Sequence, residues 1–302
     1  MKKKIDIGII ILHYNNIEDT NECIESIKSN IDTKLFQIIV IDNKSPDGSG
    51  NVLSSKYQDD INVKIILNEK NEGFSAGLNL GIDYLHTYYD PSFTILSNSD
   101  IHLLDKQLTS HLMSEFKFSN FSVLAPMIVT PDGRCDDNPI FDIWYSRRNA
   151  QYDLKYWNHR LFFTKLGLER IYLFNRNHNF FVKKHKKKIY QIRKDRSPGI
   201  FLKRRENVVA HGCFIVLSNK YFEYFKGLDA RTFMYAEEDI LFVHILDKKL
   251  LSVYQPNIIV YHKGGSSVKA SYKANKKRKI FLYRNYISAI KAYLLLIDEL
   301  KL

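Results

Sequence analysis

The chain has 302 residues, 45% of them hydrophobic and 26% charged, with a formal net charge of +12. This is ordinary globular composition with ample length for a core. No apolar run reaches the ~20 residues of a membrane span. The apolar stretch after Met1-Lys2-Lys3-Lys4 stops at Leu12, too short for a secretory leader, and Cys23, Cys135 and Cys213 form no C-x-x-C pair. We expect reduced thiols and a cytoplasmic protein.

Along the first hundred residues, strand and helix signals alternate. Ile5 to Leu12 is a near-continuous β-branched run, as a strand buried on both faces requires. Asp19-Thr20 can cap a helix in which Ile24, Ile27 and Ile31 share one face. Phe36 to Ile41 reads as a second strand closed by the turn Asp42-Asn43-Lys44-Ser45-Pro46-Asp47-Gly48, and Val63 to Leu67 as a third. A helix from Ser75 carries Leu78, Ile82, Leu85 and Tyr89 at helical spacing, and Phe93 to Leu96 is the fourth strand. This βαβαβαβ order implies right-handed crossovers and a mostly parallel sheet. Val123-Leu124-Ala125 and Val208 to Leu217 read as further strands, the latter containing Gly212-Cys213. Residues 140–207 break the rhythm with an aromatic, basic stretch that includes Trp144, Tyr145, Phe180 and Phe181. It reads as an inserted helical region. An amphipathic helix from about Lys276 to Leu302 ends the chain, with Ile287, Ile290, Leu294 and Ile297 offering a dimer seam.

Several clusters carry chemistry. Asn98-Ser99-Asp100 follows an apolar strand where it emerges from the sheet. Oxygen-rich side chains at strand ends can hold a hard divalent cation and through it a diphosphate, or simply form a turn. Asp42 and Asn43 end another strand, where they either bond a nucleotide or cap the turn. Gly73, Gly77 and Gly81 recur every four residues, which suits close ligand approach or tight helix–sheet packing. Gly73-Phe74-Ser75-Ala76-Gly77 also matches the G-x-S-x-G elbow of α/β-hydrolases, but seven residues separate Ser75 from the strand ending at Leu67. Glu237, Glu238 and Asp239 stand together after an aromatic patch. They either complement a helix N-terminus or supply a general base, and crowding raises the pKa of at least one of them. His262 is delivered by a strand to the loop Lys263-Gly264-Gly265-Ser266-Ser267, where an imidazole could complete a metal shell begun by Asp100. P-loop, H-E-x-x-H and G-x-G-x-x-G motifs are absent.

Taken in order, Ile9 to Asn16, Ile39 to Ser45, Asn71-Glu72-Gly73-Phe74 with Asn79-Leu80-Gly81, Leu96 to Asp100, Phe233 to Asp239, and His262 with Ser266 resemble the family 2 glycosyltransferases of GT-A fold, in particular bacterial members that build capsule, O-antigen or exopolysaccharide. The resemblance spans about residues 5–135 and 205–290. It implies one Rossmann-like α/β domain, with a nucleotide-sugar half over 1–135, an insertion over 140–207 and an acceptor half over 208–302. It implies inverting transfer from a UDP- or dTDP-sugar, with Mn²⁺ or Mg²⁺, to a glycan hydroxyl. By position, Leu12, Tyr14, Asp42, Asn43, Asn71, Gly73, Asn79, Asn98 and Ser99 would serve the nucleotide-sugar, and Asp100 and His262 the metal. One of Glu237, Glu238 and Asp239 would be the base, Glu238 being favoured. Two departures stand out: Asn98 replaces the first acid of the metal motif, and Glu-Glu-Asp replaces the commoner Glu-Asp-x-Asp.

Eleven Lys/Arg against one acid between Lys183 and Arg205, and seven against none between Lys269 and Arg284, are the chain's basic runs. With a polyprenyl-diphosphate-linked acceptor, these runs would attract the inner face of the plasma membrane, and the insertion's aromatics would enter the interface. A nucleic-acid-binding module would use the same charge. It leaves the acids at strand ends unexplained, so no nucleic-acid partner is expected.

Overall fold

The computed structural model describes residues 2–135, 137–140, 146–178, 199, 201–264 and 276–302. The basic runs within 183–198 and 269–275, the loop residues Gly265, Ser266 and Ser267, and Trp144, Tyr145, Phe180 and Phe181 lie outside them.

Strands β1 (Lys3–His13), β2 (Phe36–Asp42), β3 (Val63–Leu67) and β4 (Tyr89–Asn98) alternate with helices α1 (Ile17–Asn30), α2 (Ser49–Lys56) and α3 (Phe74–Tyr88). They pair in parallel in the order β3-β2-β1-β4. The rest of the chain adds β5 (Ile101–Leu103), α4 (Leu108–Ser119), β6 (Val123–Val129), α5 (Arg147–Lys165), α6 (Glu169–His178), β7 (Arg205–Glu206), β8 (Phe214–Ser218), α7 (Asn219–Phe222), α8 (Glu237–Asp247), β9 (Ser252–His262) and α9 (Lys276–Glu299). One sheet results, ordered β3-β2-β1-β4-β8-β6-β9-β5 with β7 on β9. Here β8 runs antiparallel to β4 and β6, and β5 antiparallel to β9.

Both faces of the sheet are covered, which is why Ile7 to Leu12 of β1 and Ile38 to Ile41 of β2 carry no polar side chain. Ile9, Ile11, Ile38 and Val40 pack with Cys23, Ile24 and Ile27 of α1 and Leu112 of α4. Ile10, Ile39 and Ile41 face Leu78, Ile82 and Leu85 of α3 and Leu241 and Ile245 of α8. Each such aliphatic side chain contributes about 1.5–3 kcal/mol on burial. Gly77 and Gly81 allow α3 to lie close to the sheet: an added Cβ would meet Leu12 Cδ1 at 2.8 Å and Ile10 Cγ2 at 2.4 Å. Packing therefore accounts for these two glycines.

A third cluster joins Ala150 of α5, Ile240 and Val243 of α8, and Ala289, Ile290, Tyr293 and Ile297 of α9. The apolar stripe of the last helix, expected as a dimer seam, is thus covered internally by α5 and α8. By length and composition α9 also suffices to cross a membrane, against the sequence expectation, since its charged residues are sparse enough to leave a long apolar window.

Local boundaries differ in three places. Asn16, in left-handed conformation (φ 56), caps α1 by accepting a hydrogen bond from the Asp19 amide, so Asp19 and Thr20 lie inside the first turn. Tyr89 opens β4 instead of closing α3, because β1 pairs with β4 as far back as Lys3↔Tyr89. Val208 to His211 approach β8 without regular pairing, with Val209 bridging Ile140, a turn follows at Gly212-Cys213, and regular pairing starts at Phe214.

Candidate active site

The parallel half brings the ends of β1, β2 and β4 to one edge, where open α/β sheets bind ligands. Leu12 is partly buried against α3, whereas Tyr14 is exposed just beyond β1. Asp42 is buried. Its Oδ1 accepts from the Ser45 amide at 3.1 Å, while the bare Cα of Gly50 lies against the other oxygen, where a Cβ would come to 2.1 Å. Asn43 is also buried, and its amide is fully engaged. Nδ2 donates to Gly73 O (2.9 Å) and Asn71 Oδ1 (3.0 Å), and Oδ1 accepts from the Glu72 amide (3.1 Å). Asn71 Oδ1 in turn accepts from the Gly73 amide at 3.0 Å. These two asparagines shape the loop before α3. Gly73 has φ +89, and its Cα faces Phe233 O, which accepts from the Phe74 amide at 2.9 Å. Asn79, expected beside the donor, instead clamps Leu228: Nδ2 donates to its carbonyl and Oδ1 accepts from its amide, both at 2.8 Å.

Ser75 is buried in the first turn of α3, and its Oγ has no hydrogen-bond partner. A hydrolase nucleophile needs an exposed hydroxyl on a strand-to-helix elbow with a base in reach. The hydrolase alternative fails on both counts.

The antiparallel half brings the second set of residues to the same edge. Ser97 of β4 pairs with Phe214, so the chain entering β8 starts beside Asn98, whose amide donates to Cys213 O at 2.9 Å. Ile101 pairs with His262, which sets the end of β9 beside Asp100. Asp100 is buried, with its Oδ1 3.4 Å from His262 Nε2, and its carbonyl accepts from the Lys263 amide at 3.0 Å. Asn98 and Ser99, half-buried, flank it. The His262 ring lies edge-on to His211 with centroids 5.9 Å apart. The next residue, Gly212, donates its amide to Glu238 Oε1 at 3.0 Å. Lys263 Nζ pairs with Asp19 at 2.7 Å and also with Glu22, tying the end of β9 to α1.

Glu237, Glu238 and Asp239 form the first turn of α8, where acids complement the helix dipole. The turn before them is strained: Tyr235 and Ala236 are consecutive non-glycine residues at φ 76 and 63. Packing holds it in shape, since Tyr235 stacks on Tyr286 of α9 at 3.8 Å and Tyr286 stacks on Trp157 of α5 at 4.3 Å. Desolvation, then the neighbouring charge of Glu238, pushes the Glu237 carboxyl up to about 8. The expected shift within this acidic trio therefore falls on Glu237.

Among the described residues, no group of three or more His, Cys, Asp or Glu could enclose a metal by itself. Asp100 with His262 still suits a cation completed by a ligand's phosphate oxygens, because Mg²⁺-type sites take one or two carboxylates plus substrate phosphates.

Sequence reading missed His211 and Gly212. The signal was a His-Gly pair just ahead of a strand. Its relevance depends on antiparallel pairing to β4, which local pattern does not encode.

A family model described as glycosyl transferase family 2 matches residues 8–225. The low-salt glycan biosynthesis hexosyltransferase Agl10 of Haloferax volcanii is 28% identical over 128 residues, which cover 42% of this chain and 38% of that protein. The chain therefore matches well under half the length of this relative. Among solved structures, GalNAc-T7 with UDP, GalNAc and Mn²⁺ aligns over 86% of this chain and 44% of its own, at TM-score 0.56 and 11% identity, a likeness of fold. TarS of S. aureus in complex with UDP-GlcNAc aligns over 46% of this chain and 38% of its own, at TM-score 0.38 and 20% identity.

Proposed function

The chain belongs to glycosyl transferase family 2 and has the GT-A fold, and from that premise we propose that it moves a sugar, with inversion, from a UDP- or dTDP-sugar to a glycan hydroxyl. One observation carries the reading. A short contact path joins Asp100 to His262, His262 to His211, and Gly212 to Glu238, bringing a cation-binding pair and a candidate base to one sheet edge. In a chain of net charge +12, this edge gathers the acids Asp42, Asp100 and Glu238. Carboxylates so gathered repel a bare diphosphate and favour one that arrives with a divalent cation.

Asp100 and His262 would hold Mn²⁺ or Mg²⁺, which neutralises charge on the departing diphosphate. Asp42, Tyr14 and Leu12 line the nucleotide side. Asn43, Asn71 and Gly73 keep the donor loop in shape, and Asn98 and Ser99 flank the cation pair. Glu238 takes the acceptor hydroxyl's proton as the oxygen attacks the anomeric carbon from the face opposite the diphosphate. Its Oε1 is fixed by the Gly212 amide, which leaves Oε2 for the proton. Glu237, protonated near neutral pH, sits beside the base without adding a second negative charge. Asp239 lies one position further along α8.

The hexosyltransferase name of the H. volcanii relative supports a hexose and a glycan product. We extend the reading to a lipid-linked acceptor in surface polysaccharide synthesis, with 1–302 as one catalytic domain working at the cytoplasmic membrane face. Release of UDP or dTDP from a panel of sugar nucleotides with Mn²⁺ tests it. Asp100→Ala and Glu238→Ala should each lower kcat by at least ~100-fold, and EDTA should abolish turnover until Mn²⁺ is restored. Retention of most activity in both variants would overturn the assignment.

A further inference from the structure

Helices α5 and α6 form a hairpin with two unlike sides. Its inner side is tightly built. Arg160 pairs with Glu169, Glu169 accepts from Lys279 at 2.8 Å and from Tyr283 OH at 2.6 Å, and Phe163 stacks on Tyr172 at 4.8 Å. Trp157 lies flat on Tyr286 of α9.

The outer end faces solvent. Phe162 and Leu166, four residues apart at the end of α5, are 58% and 56% exposed. Leu168 in the connection is 42% exposed, and Ile171 and Phe174, three apart on α6, are 59% and 62% exposed. Spacings of three and four place each pair on one helix face. Four of them, Phe162, Leu166, Leu168 and Ile171, fall within ten residues and are turned to solvent by a scaffold that is otherwise well packed. Soluble surfaces rarely keep such a patch without a partner.

Charge identifies the partner. The two helices carry seven Lys/Arg against Asp153 and Glu169, and Glu169 is buried and neutralised by Arg160 and Lys279. Lys155, Lys165 and Arg170 are exposed beside the apolar end. Apolar side chains ringed by exposed cations match the interface of an anionic bilayer, where acyl chains take the former and headgroups the latter.

We propose that the α5–α6 hairpin is a membrane-docking element whose apolar end, Phe162, Leu166, Leu168 and Ile171, enters the interface of an anionic bilayer. Because α5 also packs on α9 and reaches the Tyr235 turn through Trp157 and Tyr286, docking holds the candidate base at a fixed orientation to the membrane. The proposal does not depend on which residue is the base.

Co-sedimentation of the full chain with phosphatidylcholine vesicles and with phosphatidylcholine–phosphatidylglycerol (7:3) vesicles, without donor, tests it. The chain should bind the anionic vesicles at low salt and not the neutral ones. The variant F162S/L166S/I171S, altered only at exposed positions, should keep its melting temperature and lose at least ~10-fold in vesicle affinity. As a second probe, the Phe162→Trp variant should show a blue shift of its added indole emission on anionic vesicles. The proposal is overturned if the parent fails to bind at low salt, if the triple variant binds like the parent, or if the emission of the Phe162→Trp variant does not move. Light scattering that shows a dimer dissolved by the triple substitution would assign the patch to a second copy instead. UDP release on a water-soluble acceptor, measured separately, reports on the transferase reading and not on docking.

Discussion

Replacing Gly212 by alanine isolates the positioning of Glu238 from everything else at the site. The residue is not at positive φ, so alanine can take its backbone conformation without strain. Such a change tends to stabilise by about 0.4–1 kcal/mol through the unfolded chain. The new Cβ, however, would lie 2.8 Å from Glu238 Oε1 and 3.3 Å from Cδ. Ordinary contact is about 3.5 Å, so the carboxylate must retreat by roughly half an ångström, stretching the 3.0 Å bond from the Gly212 amide. A hydrogen bond to a charged group contributes about 1.5–3 kcal/mol, and a 1 Å misplacement can cost about 100-fold in rate. We expect kcat to fall ~10–100-fold, with donor KM little changed and the melting temperature unchanged or slightly raised. Initial rates of nucleoside diphosphate release measure the first two, and a thermal melt the third. The control is the double variant: on a Glu238→Ala background, Gly212→Ala should add nothing, because its target is gone. Full activity in Gly212→Ala, or an equal loss on the Glu238→Ala background, refutes the placement of the base.

Other expectations follow from the same geometry. Gly73→Ala should destabilise the fold by more than ~2 kcal/mol in urea melts, since φ +89 disfavours any side chain and the Cβ would come 2.1 Å from a backbone oxygen, Phe233 O; a midpoint equal to the parent's would contradict the packing described. Glu237 binds a proton in the folded chain up to about pH 8, whereas an ordinary glutamate releases it near 4.5, so the stability tied to this group is full in acid and lost as pH climbs through that window. Without donor, Glu237→Gln should melt close to the parent at pH 5 and several degrees above it at pH 9; parallel pH curves would remove Glu237 from this role.

The parallel half was legible because its physics is local. Parallel strands covered on both faces must be apolar throughout, so Ile5 to Leu12 and Phe36 to Ile41 announced themselves, and Asp42 and Asp100 stood out as acids at strand ends. The antiparallel half depends on pairings that join distant segments. Nothing within His211-Gly212 says that β8 runs antiparallel to β4, yet that pairing sets Gly212 at the sheet edge where it meets Glu238. The backbone roles of the asparagines were hidden for a related reason. Asn43 and Asn79 stand where a ligand contact is plausible, but a side-chain amide satisfies backbone groups equally well, and here it does so on Gly73 and Leu228. The cap of α1 was misplaced by three residues because Asn16 reaches the cap through a left-handed conformation that the sequence does not display.

These backbone clamps explain how two halves with different strand directions act as one site. Asn43 fixes the carbonyl of Gly73, the amide of Phe74 fixes the carbonyl of Phe233, and Asn79 holds both polar groups of Leu228. The loop from 227 to 236 is therefore stapled to the first turns of α3 before it reaches the strained Tyr235-Ala236 turn. Its other side is set by the Tyr235–Tyr286–Trp157 stack, which belongs to α9 and α5. Glu237 and Glu238 thus take their position from the donor loop on one side and from the inserted helices on the other. None of these clamps is an ion pair, so raised salt should leave the geometry of Glu237 and Glu238 intact while it weakens any electrostatic attraction of the hairpin to anionic lipid.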